Sequence, residues 1–298
     1  MSDSPFAPPA VKWDVPVMPY VDMTADRSGY TLSRYSRDTG IKGFALAFVG
    51  VKEGHTNFTW AGFDSYPAPD WSADEINKFR NDCGGIPVIS FGGAEKILPE
   101  HSIADPKVLL EGYKKVIDGY KVRHINFDIE ATVSGHTVRE RNVPLVRDLL
   151  KGYPDLRISY SLEINARDEV GIKTFGRYLL RDLQKEGIVP ALVNLLIEYL
   201  PDSPWDSARK TMEAAHHQMR DVFKLSDEEA WLRIGACPMY GNDGGNKWTL
   251  DDHKELRQFA DRNKIGCISG WRTNTDATRY AYAYEKIQQG YHPNTPKS

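Results

Sequence analysis

Eight short apolar, largely β-branched runs alternate along this chain with polar–apolar stretches of helical period, and that alternation limits what it can fold into. The strand-like runs cover residues 15–21, 43–49, 87–91, 124–129, 157–162, 191–199, 232–238 and 266–271. Helical stretches fall at 73–82, 105–120, 138–151, 171–185, 207–223, 250–263 and, after the last strand, 277–288. Short strands joined through helices predict parallel βαβ units. Eight such units in 298 residues predict an α/β chain folded as a single (β/α)8 TIM barrel. The competing topology, an open doubly wound sheet, calls for a G-x-G-x-x-G turn after the first strand. None follows residues 15–21. No composition break divides the chain, so residues 1–12, rich in Pro and Ser, read as a loose lead-in and 13–298 as one barrel.

Composition narrows the class further. At 41% hydrophobic and 27% charged residues the chain holds enough apolar material for a sizeable core. Its 38 basic and 41 acidic side chains leave a net charge of −3, without the basic excess of a nucleic-acid binder. No stretch approaches the ~20 apolar residues of a membrane helix. A monomer with neither nucleic-acid nor membrane partners is expected. The N-terminus lacks a basic segment followed by an apolar one, so no signal peptide is read. Localisation stays open between the cytoplasm and export with a removed leader. Cys83, Cys237 and Cys267 are too scattered for a disulfide framework or a zinc site, and the last two read as buried thiols. The adjacent His216 and His217 do not share a helix face, and loop 242–246 lacks the terminal Glu of a calcium loop. No metal or organic cofactor is expected.

In a (β/α)8 barrel the chemistry lies at the carboxyl ends of the strands. The most pointed feature there is HINFDIEA, residues 124–131. Period-two alternation puts Asn126, Asp128 and Glu130 on one side and Phe127 and Ile129 on the other. With the apolar pair against the helices, the polar trio faces the barrel interior, where it needs hydrogen-bond partners. Neighbouring carboxyls there resist joint ionisation, so one stays protonated towards neutral pH, as a general acid requires. Solvated acids on an exposed edge strand fit the same pattern equally well.

The chain resembles glycoside hydrolase family 18, the chitinase family, whose fourth strand ends in Asp-x-Asp-x-Glu. It is most similar to the compact bacterial-type branch that lacks the α+β insertion. The resemblance runs from about residue 15 to 288. It is carried by PYVDMT (19–24), VISFGGA (88–94), the HINFDIE strand, LLIEY (195–199), IGACPMYGND (234–243) and ISGWRTNTD (268–276). It implies retaining hydrolysis of β-1,4-linked N-acetylglucosamine in which the substrate's own 2-acetamido oxygen attacks the anomeric carbon. Glu130 would then serve as general acid and base, and Asp128 would hydrogen-bond the acetamide nitrogen. Tyr199 would hold the acetamide oxygen for attack. Trp271 would form the apolar floor under the sugar. Tyr20, Glu198, Tyr240 and Asn242 would line the same or neighbouring subsites, with Trp60 a second sugar platform. The implied ligand is a chito-oligosaccharide or another N-acetylglucosamine-containing glycan.

Several residues depart from the family pattern. Asn126 stands where the inner Asp is usual; an amide can hydrogen-bond Asp128 but cannot share a proton with it. Glu198 replaces an Asp, Glu163 takes a position usually small or Pro, and Arg272 follows the floor tryptophan where a neutral residue is common. Glu163 paired with Arg272 or Arg123 would be structural; left unpaired, these charges would suit a charged or branched substrate. Three readings therefore stand: a chitinase-like glycosidase slowed by Asn126, a glycan-binding relative with little or no turnover, and a barrel repurposed for a charged or non-chitin substrate. On the first reading Asn126→Asp raises the chemical step in single-turnover kinetics on the true substrate. An unchanged or lower rate would make Asn126 an adaptation and the proton-relay argument wrong.

Overall fold

A computed structural model describes residues 12–27, 29–95, 97–130, 135–198, 200, 204–241 and 248–294. The strands among them are β1 (Val17–Asp22), β2 (Gly43–Val51), β3 (Phe58–Trp60), β4 (Ile86–Gly92), β5 (His124–Ile129), β6 (Arg157–Asn165), β7 (Gly171–Ile172), β8 (Leu192–Leu196), β9 (Ile234–Cys237) and β10 (Cys267–Gly270). Eight pair in parallel in the order β1-β2-β4-β5-β6-β8-β9-β10. β10 returns to β1 through Val17↔Ile268, which closes the expected (β/α)8 barrel. Closure leaves these eight strands without a free edge.

Strand alternation sorts the side chains into two apolar sets. On β5, Ile125, Phe127 and Ile129 face the helices, and the Phe127 ring lies 5.6 Å from Tyr113 and 5.3 Å from Tyr160. A smaller set, including Met18, Tyr20, Ala45, Ala47, Val88, Leu196, Cys237 and Cys267, fills the barrel interior. The two buried cysteines are thus free thiols packed in the barrel, as expected from the sequence. The helices begin and end on local signals. Asp105 caps Pro106–Tyr120 by accepting from the Lys107 and Val108 amides, and Lys121 ends it in the left-handed conformation. Thr249 and Asp252 form a reciprocal capping box at Leu250–Asn263.

The elements differ from the sequence reading where a local partner competes with periodicity. The stretch 277–288 is two helices, Thr273–Arg279 and Ala283–Gln288. The buried Asp276 carboxylate accepts from the Tyr284 and Glu285 amides and so starts the second helix, with Ala281 and Tyr282 at positive φ between the two. Residues 171–172, expected to be helical, instead pair antiparallel with β6 before the helix Thr174–Lys185. Gly171 takes φ 121°, which a side chain would resist. β2 continues into a hairpin with β3. That hairpin overturns one site assignment: Trp60 is fully buried and donates its indole N–H to the Tyr120 hydroxyl at 2.7 Å, so it offers no face to a sugar. The alternating pattern before residue 60 does not reveal that a second strand folds back over it.

One glycine shows how closely the backbones meet at the strand ends. Gly92 ends β4 at φ 107°, and a Cβ there would lie 2.2 Å from the Asp128 carbonyl oxygen. The Ser-x-Gly-Gly segment thereby lets β4 close against the acidic end of β5.

Candidate active site

At the carboxyl end of the barrel a cavity of about 660 Å³ is lined by, among others, Tyr20, Asp128, Glu130, Glu198, Trp271 and Arg272. Its base is a hydrogen-bonded layer of uncharged side chains from six strands. The Asn126 amide nitrogen donates to Ser159 and Ser161 hydroxyls at 3.0 and 3.1 Å. Its oxygen accepts from the Ser90 hydroxyl at 2.8 Å. Ser161 Oγ also accepts from Asn194 and lies 2.6 Å from the Tyr20 hydroxyl. Ser269 donates to Asn194 at 3.1 Å. Tyr20 donates to Asp128 Oδ2 at 2.8 Å and so carries the layer up to the acids. Asn126 makes no direct hydrogen bond to Asp128 in this arrangement; the Tyr20 hydroxyl, 3.2 Å from Asn126 Oδ1, stands between them.

Above the layer sit the two carboxyls of β5. Asp128 is buried, and its Oδ1 has no hydrogen-bond partner among the described residues. Burial, then the nearby Glu130 carboxylate, push its pKa well above the usual carboxyl range. Glu130 is partly buried, and burial followed by the charge of Glu163 pushes its pKa up to about 7. The pair therefore retains a proton close to neutral pH, as the stacked carboxylates of the sequence predict.

An aromatic floor completes the cavity. Trp271 stacks on Phe48 with ring centroids 5.5 Å apart and planes 13° from parallel, and Tyr20 leans on both. Phe48 escaped the sequence reading for a clear reason. The pairing of β2 with β4 slips between Leu46 and Val49, and this bulge puts Val49 with the outer core and Phe48 beside the inner one. Phe63, 53% exposed at the rim of the same cavity, follows the hairpin, and no periodic signal marks it. Glu198 lines the cavity, where its Oε1 lies 3.5 Å from the Cys237 thiol.

Other assignments are corrected. Tyr240 is fully buried, donates to Gln288 Oε1 at 2.9 Å and stacks on Tyr284, away from the cavity. Arg272 pairs with Asp22, whose other oxygen accepts from Thr24 and Ala25. Glu163 pairs with Lys173 at 2.7 Å, and Arg123 with Asp155 at 3.0 Å, so neither arginine is the partner of Glu163. Glu163 and Arg272, the extra charges at the carboxyl ends of the strands, thus each have a counter-ion, while Arg123, just before β5, lies at the opposite end of the barrel. Tyr199 and Asn242 lie outside the described residues.

The fold and its strand-end carboxyls define a TIM barrel with a proton-retaining acid pair over an aromatic floor. No family model matches the chain. It is 25% identical over 279 residues to a probable bifunctional chitinase/lysozyme of Escherichia coli (strain K12), covering 87% of this chain and 30% of that protein. It is 25% identical over 278 residues to endochitinase 11 of Metarhizium anisopliae, covering 87% of this chain and 52% of that one. The chain thus spans about half or less of the length of these curated relatives. The catalytic domain of a hyperthermophilic chitinase from Pyrococcus furiosus superposes with a TM-score of 0.80 at 26% identity, covering 95% of this chain and 99% of that one. Active domain 2 of a thermostable chitinase from the same organism, as catalytic-site mutants complexed with chito-oligosaccharides, superposes at 0.77 with 28% identity, covering 89% and 86%. These likenesses, in sequence and in fold, support the resemblance to glycoside hydrolase family 18, the chitinase family.

The neutral layer makes a prediction about Asn126. Asn126→Asp removes two donated hydrogen bonds and places a further carboxyl in a buried site, a loss of roughly 1–3 kcal/mol. Burial raises the folded-state pKa of such a carboxyl above its unfolded value. The folded state then binds the extra proton, and stability falls as pH rises from about 4 upward. Urea unfolding of both proteins at pH 4 and pH 8 should show the larger deficit at pH 8; equal stability at both would contradict the packing described.

Proposed function

We propose that this chain hydrolyses β-1,4-linked N-acetylglucosamine by substrate-assisted, retaining catalysis, with Glu130 as general acid and then base. The observation that carries this reading is the placement of the Glu130 carboxyl beside buried Asp128 in a cavity floored by Trp271, where burial and the charge of Glu163 push its pKa up to about 7. A carboxyl so poised donates to a glycosidic oxygen and afterwards, ionised, draws a proton from water. Asp128, whose Oδ1 awaits a partner, is placed in this reading to accept from the acetamide N–H and stabilise the charge that develops there. The resemblance assigns Tyr199 to the acetamide oxygen.

The Trp271–Phe48 floor offers an apolar face to a pyranose ring. Pairing of Arg272 with Asp22 and of Lys173 with Glu163 favours a neutral glycan over a charged one, because each added charge has its counter-ion within the protein. The chito-oligosaccharide held by the Pyrococcus furiosus mutants is of this neutral kind.

Product analysis with N-acetyl-chitohexaose tests the reading. Wild type is expected to cleave it, and Glu130→Gln to bind it with turnover reduced at least a hundredfold. Binding without cleavage by either protein would instead support the glycan-binding alternative, and no binding would overturn both. Because the donor must be protonated, kcat/KM of the wild type is expected to fall as pH rises through about 7. A profile flat from pH 6 to 9 would remove Glu130 from the acid role.

A further inference from the structure

The register of β5 and β6 sets two acids side by side. Ile129 pairs with Leu162 as the last step of the ladder, and Glu130 and Glu163 are the next residues of the two segments, near enough for the Glu163 charge to act on Glu130. Alternation turns Glu163 to the same face as Ser159 and Ser161, the face that also carries Asn126 and Asp128 on β5. On its far side Glu163 meets Lys173, whose ammonium lies 2.7 Å from Glu163 Oε1. Lys173 is held there by its backbone, since its amide donates to the Glu163 carbonyl at 3.0 Å where the β6–β7 hairpin ends. Glu163 is 31% exposed and Lys173 48%, so each can be changed without opening the core.

We propose that Glu163 and Lys173 form an opposed charge pair that governs the proton on Glu130, the anion keeping it in place and the cation limiting how tightly it is held. Both are positioning residues, acting on Glu130 through the field across the strand ends. After burial, the charge of Glu163 is the largest influence holding Glu130 protonated, and Lys173 acts the opposite way. The other groups facing the acid are Asp128 on its own strand, Tyr20 from β1 through its hydrogen bond to Asp128, and Glu198, which acts on Asp128 across the cavity. Asp22 and Arg272 neutralise each other at the cavity wall. Glu169, which lines a smaller pocket beside Glu163, is bound to Arg177.

The inference rests on Glu130 as the proton donor, and its test separates the two. The Glu130 carboxyl is followed by ¹³C NMR titration, its signal assigned by its loss in Glu130→Gln, so the reading needs no turnover. Glu163→Gln is expected to lower the Glu130 midpoint by roughly one pH unit. The alkaline limb of hexaose cleavage then moves with it, a loss of about tenfold in rate well above the midpoint. Lys173→Met is expected to raise the midpoint, and Glu163→Asp, which keeps the charge, to restore it towards wild type. Added salt should shrink both shifts, as the pair is partly exposed.

Opposite signs for the two variants are the diagnostic result, because a purely structural role would move both the same way. A midpoint that stays put in both, or moves the same way in both, overturns the pair and leaves Glu130 as donor untouched. Opposed midpoint shifts in a protein that never cleaves the hexaose would support the charge pair and sink the hydrolytic reading instead.

Discussion

The barrel interior is held together by one uncharged hydrogen-bond layer, and the position of the acids depends on it. Tyr20, Ser90, Asn126, Ser159, Ser161, Asn194 and Ser269 come from six strands and meet around the Asn126 amide and the Ser161 hydroxyl. Each bond adds on the order of 1 kcal/mol, but a buried polar group left unmatched costs more. The layer therefore specifies which strands meet, and at which height, more than it adds net stability. Asn126 suits it because an amide both donates and accepts, whereas a carboxylate in the same place would face the two serine oxygens to which the amide nitrogen donates. The amide at the place where the resemblance implies an inner Asp is thus part of a self-consistent neutral base.

That base also decides how charge is distributed above it. With an amide below, the layer offers the Asp128–Glu130 pair no carboxyl with which to share a proton, and among the described residues the Tyr20 hydroxyl links Asp128 to that layer. Control of the proton shifts to the rim, where Glu163 and Lys173 flank the acid. The cavity gathers buried carboxyls but compensates the outer ones with fixed cations. A site built this way raises a carboxyl pKa by burial and like charge.

Aromatic packing divides in the same spirit. Trp271, Phe48 and Tyr20 face the cavity, while Trp60 and Tyr240, equally plausible as sugar platforms by residue type, bury their rings and spend their polar atoms on Tyr120 and Gln288. Whether an indole or phenol meets solvent depends on what folds over it. For Trp60 that is the hairpin of β2 with β3, and for Tyr240 the helix Ala283–Gln288.

The alternation of strands and helices and the shared side of Asn126, Asp128 and Glu130 were legible in the chain, because period is a local property that the parallel barrel preserves; Trp271 as a floor was implied by the family resemblance, and that the shared side faces inward was decided by the closed barrel. The eight barrel strands fall where the short apolar runs predict them, with ends adjusted by a few residues. What the tertiary structure decided lay in phase and partnership. A bulge in β2 turned Phe48 inward, the Asp276 carboxylate broke one helical run into two, and a folded-back hairpin hid Trp60. The counter-ions of Glu163 and Arg272 also came from β-strand neighbours and loops, Lys173 beyond β6 and Asp22 at the end of β1, rather than from each other. Charges pair by distance in the folded chain, and distance across a closed barrel is set by register, which no single strand carries.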